Sequence, residues 1–149
     1  LDHIRKNHSG NVLLGLVKDH SAGRPAGALD QRLIDAFAAS LDRAGEDPAI
    51  AARALSLPSS GYLGQQMATI DVEGIHHALD HTRKALGRSL RDRWLATYHA
   101  HVDEGPFSLA TAAMSRRALK NLALAFLALV LLFRWLERHL HVHLRRPVA

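Results

Sequence analysis

The chain of 149 residues contains no cysteine. Disulfides, thiolate metal sites and a cysteine nucleophile are therefore excluded. The absence fits a reducing compartment, and the cytoplasm is the expected location. Aromatic residues make up only 5% of the chain, too few for a platform on which bases stack. Charge of one sign is also scarce over most of the length. Arg134, Arg138, Arg145 and Arg146 face Glu137 alone at the C-terminal end and hold most of the net charge of +5. The rest is nearly balanced, so no nucleic-acid partner is expected. Leu1 to Gly10 carries charges and no apolar run, so no signal peptide is visible and the chain reads as a cut within a longer protein. No stretch alternates in polarity as a strand does. There is no GxSxG elbow and no glycine-rich phosphate loop.

What is present is helical periodicity. Asn11 is placed to cap a short helix carrying Val12, Leu13, Leu16 and Val17. "SAGRPAGA", residues 21 to 28, is a loop by its glycine and proline content. Asp30 then caps a helix with Leu33, Ile34, Phe37 and Leu41 on one face. Pro48 opens a short helix to Leu55, and Ser59 or Ser60 opens another to Met67. Asp71 caps the longest helix, expected to run to about Val102 with Val72, Ile75, Leu79, Leu86, Leu90, Trp94 and Tyr98 as its apolar stripe. After the turn "DEGPF", Ser108 caps a last helix through "NLALAFLALVLLF", residues 121 to 133. The expected fold is all-α: five to six helices in antiparallel hairpins, stacked as in a solenoid. Residues 1–133 form the helical domain, and 134–149 form a basic, histidine-rich tail.

The candidate chemistry lies in "IHHALDH", residues 75 to 81. His77 and His81 stand four apart, the spacing of two metal ligands on a helix in zinc proteases. That motif also needs a glutamate after the first histidine to activate the metal-bound water, and Ala78 stands there. At about 100° per residue, His77 and His81 lie about 140° and 180° from Val72, away from the apolar stripe. His76 falls on the edge of the stripe and is expected to be partly buried. A catalytic zinc needs a third protein ligand, for which Asp71 and Asp80 are candidates by proximity alone. These residues therefore read as a surface pair, and no catalytic, cofactor or metal residue is assigned. "HLHVH", with His139 and His143 on one helical face, reads as a solvated tail. His99 and His101 are expected to meet solvent. Asp42, Glu46 and Asp47 read as a solvated loop cluster, and Arg116 and Arg117, beside Ser115, as cover for a helix side.

Resemblance goes further than periodicity. "ALSLPSSGYLGQQM", residues 54 to 67, resembles a segment of the bacterial-type aminopeptidase N family of zinc metallopeptidases. "DVEGIHHALDHTRKALGRSLRDRWLATYHAHVDEGPFS", residues 71 to 108, is similar to the family's next segment, and "RRALKNLALAFL", residues 116 to 127, to the helix after that. "LLGLVKDHSAGRPAGALDQRLIDAF", residues 13 to 37, fits the stretch before. Order and spacing agree up to about Ala128. The resemblance implies part of the C-terminal all-helical domain, which packs over the catalytic domain and helps enclose the substrate chamber. It implies zinc in the parent catalytic domain, and peptides as substrates of the full enzyme. The family's HExxH and GxMxN motifs are both absent, and Gly64 to Met67 fails the spacing of the second. No family site residue carries over, and the chain alone is expected to be inactive. Beyond Ala128 the stretch "LVLLFRWLERHLHVHLRRPVA" departs from the family and reads as the product of a truncated or shifted frame. Two other readings remain open: a helical module that binds a membrane surface or a partner protein, and a histidine-rich metal binder. The apolar run Leu122–Phe133 is about 18 Å long as a helix, too short to span a bilayer core of roughly 30 Å. It is expected to drive self-association.

Overall fold

The structure is a computed structural model that describes residues 2–103 and 105–144. Among the described residues it is entirely helical: α1 (Asp2–Ser21), α2 (Gln31–Asp42), α3 (Pro48–Ala54), α4 (Ser60–Gln65), α5 (Val72–Ser89), α6 (Arg91–Ala100) and α7 (Thr111–Leu144). Local chemistry sets most boundaries. Asp30 accepts the Arg32 N–H, Asp47 those of Ala49 and Ile50, Ser59 that of Tyr62, and Asp71 that of Gly74. Each satisfies a backbone donor that a helix start leaves orphaned. Pro48 occupies the first turn of α3, where its missing N–H costs nothing. Gly23, at φ 65°, ends α1. Its N–H donates to His20 O at 2.9 Å and that of Arg24 to Asp19 O at 2.8 Å, the paired bonds of a Schellman turn.

Several boundaries differ from the sequence expectation. α1 begins near Asp2, so Asn11 is an exposed interior position rather than a cap. The helix expected over residues 71 to 102 is two, α5 and α6, which makes seven in all. Leu90, at φ −115° and ψ 21°, closes one and opens the other without a side-chain cap. The spacing hides the break because Leu86, Leu90 and Trp94 keep four-residue steps across it, and all three are buried. Val72, counted in the stripe, is exposed at 58%. α7 starts at Thr111, with Ser108 turned to accept the Ala110 N–H, and continues without interruption past position 134. The tail from 145 onward lies outside the described residues, as do the side chains of Leu129, Phe133, His141 and His143.

α5 lies at the centre, with α1 on one side and α7 on the other; α7 also packs against α3 and α6. One apolar cluster joins Leu13, Leu16 and Val17 of α1 to Leu63, Ile75, Ala78 and Leu79. The larger one gathers Leu33, Phe37 and Leu41 of α2 with Leu86, Leu90, Trp94, Leu119, Phe126 and Leu127. Trp94 is its anchor. Its ring stacks on Phe126 at 4.2 Å between centroids, Phe37 meets both edge-on, and its indole N–H donates to Leu86 O at 3.3 Å. A buried indole needs that partner. At Gly87 the backbone of α5 comes so close to α7 that a methyl group would lie 2.7 Å from Phe126 O.

Candidate functional site

The "IHHALDH" histidines do meet a third, and it is not the one their sequence suggests. His20, at the end of α1, stacks on His77 with 4.6 Å between ring centroids, and His77 lies 6.4 Å from His81. His81 Nε2–H donates to Gly27 O at 3.0 Å. His76, expected to be partly buried, is exposed, because it shares the outward face of α5 with exposed Val72, Glu73 and Asp80. The nearby carboxylates are engaged elsewhere. Asp71 accepts from the Ser21 hydroxyl and, at 2.8 Å, from the Gly74 N–H. Those two bonds, with the charge of His20 adding and desolvation opposing, hold its carboxyl below the usual aspartate range. Asp80 lies 3.6 Å from Arg83. Among the described residues, no three His, Cys, Asp or Glu side chains stand together as a metal site. His20 carries no sequence signal linking it to His77, since only the packing of α1 on α5 joins them.

Other candidates resolve into structural contacts. Asp42 pairs with Arg93 at 2.8 Å, Glu46 with Arg43 at 2.9 Å, and Asp47 is spent on its cap. The Ser115 hydroxyl donates to Thr111 O at 2.9 Å. Arg116 and Arg117 converge on Asp103 at 3.5 and 3.4 Å. Arg117 also donates to Ser108 O and lies over the Phe107 ring, so the pair pins the α6–α7 connection against α7. His101, expected in solvent, is 6% exposed, and its Nδ1–H donates to Thr97 O at 2.7 Å. It ends α6 by folding back on the preceding turn, a direction that periodicity does not give. His99 is exposed. Gly64 to Met67 forms the turn that closes α4, with Met67 N–H donating to Gly64 O at 3.2 Å.

The remaining feature is the outward side of α7. Its inward face buries Leu119, Ala123, Phe126, Leu127 and Val130, while Leu124, Leu131, Leu132 and Trp135 are exposed at 45%, 54%, 52% and 56%. The Trp135 ring stacks on His139 at 4.2 Å. No described helix is long and apolar enough to cross a membrane.

The described residues form an all-helical stack with an apolar outer helix, the class of fold to which helical repeat domains belong. Residues 6–140 match the family described as ARM repeats of a domain of unknown function, DUF3458_C. Aminopeptidase N of Caulobacter vibrioides is 34% identical over 107 residues, which is 71% of this chain and 12% of that protein. Aminopeptidase N of Escherichia coli is 32% identical over 112 residues, 75% of this chain and 13% of that protein. The chain belongs to the DUF3458_C ARM-repeat family and corresponds to part of the C-terminal helical domain of aminopeptidase N.

Proposed function

We propose that this chain is a scaffolding part of a zinc-dependent aminopeptidase. It packs over the catalytic domain and encloses the chamber in which N-terminal residues are removed from peptides. The similarity to two aminopeptidases N over more than 70% of the chain carries the reading. The chain contributes shape rather than chemistry: its sequence holds neither HExxH nor GxMxN. Zinc belongs to the catalytic domain, where it polarises the scissile carbonyl and activates water. The cytoplasm, where cysteine-free chains are at no disadvantage, is the proposed location.

A chimaera tests this. Residues 6–140 replace the matched segment in the Escherichia coli aminopeptidase N, and hydrolysis of an alanyl anilide is measured. The chimaera is expected to be active and chelator-sensitive, and the chain alone with added zinc to stay at the blank rate. A chimaera that folds, by circular dichroism and gel filtration, yet has no activity removes the proposal. So does chelator-sensitive turnover by the chain alone.

A further inference from the structure

α7 carries two apolar arcs. The first is buried in the domain. In the second, the exposed positions Leu124, Ala128, Leu131 and Trp135 follow steps of four, three and four residues, with Leu132 beside them. Together with exposed Ala125 and Leu132 these make three apolar positions in each heptad, the face of a helix that packs against another helix. The same register runs upstream through exposed Asn121 and Met114.

Charge selects the occupant. α7 carries Arg116, Arg117, Lys120, Arg134 and Arg138 against the single acid Glu137, and no acidic residue occurs from 105 to 136. Within the domain Asp103 answers these charges through Arg116 and Arg117, at the far end from the seam. A second copy of the chain offers an equally apolar seam but brings the same basic surplus, and like charges beside a seam oppose pairing. We infer that the outward face of α7 is the docking surface for an amphipathic helix whose apolar seam is flanked by acidic residues. This does not rest on the aminopeptidase reading; it would hold for a helix of the same polypeptide or of another.

The test uses two synthetic helices with the same leucine seam, one flanked by glutamate and the other by lysine. The emission of Trp135 reports binding, since the other tryptophan, Trp94, is fully buried and gives a constant background. The glutamate-flanked helix is expected to shift the emission to the blue with saturation, and the lysine-flanked helix to bind roughly tenfold more weakly or worse. Salt should weaken the first complex, because it screens opposite charges. Leu131→Lys should abolish the shift; Ala128→Lys, at an exposed position, provides the same test should the first variant fold poorly. Equal affinity for the two helices overturns the inference, and so does affinity that salt leaves unchanged. A glutamate-flanked helix that gives no shift, while phosphatidylglycerol vesicles do, overturns it in favour of a membrane surface.

Discussion

Single residues at the start and in the middle of α5 decide how this domain responds to acid and where it is imperfect. Asp71 caps α5 and bonds Ser21 across the contact. Its folded pKa is depressed, so its contribution is present above the unfolded value of about 3.9 and is lost as pH falls through the folded one. Asp71→Asn should therefore melt below the wild type at pH 7, and the gap should close as the pH drops from about 4 towards 2.5. Melting curves across that range check it; a constant gap would mean that the carboxylate charge plays no part. Thr82 on the same helix is fully buried, and its hydroxyl has no hydrogen-bond partner among the described residues. A buried, unpaired hydroxyl costs about 1–3 kcal/mol. Thr82→Val keeps the shape and should raise the melting temperature by a few degrees, on the order of 1 kcal/mol. A lower melting temperature would show that the hydroxyl is satisfied.

At the scale of elements, two glycines separate helix propensity from helix packing. Both sit inside helices, where alanine is favoured by roughly 0.5–1 kcal/mol. At Gly15 of α1 a methyl group would meet nothing within 4 Å, so Gly15→Ala should stabilise by about that amount. At Gly87 of α5 the methyl would lie 2.7 Å from the Phe126 carbonyl oxygen and 2.9 Å from Val130 Cγ2. A backbone oxygen cannot rotate aside, so α5 and α7 must separate. Gly87→Ala should destabilise by roughly 1–3 kcal/mol despite its better propensity. Urea denaturation of both variants measures the two signs, and equal shifts would mean that the close approach of α5 to α7 is not maintained. The caps Asp30, Ser59 and Asp71 were legible in the sequence because a cap acts within three residues, whereas Asn11 proved interior to α1 and Asp47, read as a solvated loop residue, caps α3. The break at Leu90 was not legible, since its cause is the packing of Trp94 and Leu86 rather than a local stop signal.

For the whole molecule, the outer helix governs behaviour in solution. Fully burying one large apolar side chain is worth roughly 1.5–3 kcal/mol, and α7 leaves Leu124, Leu131, Leu132 and Trp135 between 45% and 56% exposed. Without its preferred partner the chain should still self-associate at high concentration, weakly at low salt, where its like charges oppose pairing, and more at high salt, which screens them. Light scattering should show this, and Leu131→Glu with Leu132→Glu should abolish it while far-UV dichroism stays unchanged. A wild-type chain that remains monomeric at high concentration would show that this face is covered from within.

The sequence by itself determined the helical class, most helix starts, the inward residues of α2 and the family, because periodicity and caps act over a few residues and a shared fold leaves shared residues in a shared order. Its reading of His77 and His81 as lying away from the stripe agrees with their exposed and half-buried positions. Tertiary structure alone decided which residues from distant segments meet. It brought His20 onto His77, buried His101 against Thr97 O, and gave Arg116 and Arg117 a shared aspartate. It also split the apolar residues of α7 into a buried arc and an exposed one. A helix that is apolar on all sides does not announce which face its own domain will cover; that depends on where α3, α5 and α6 come to lie.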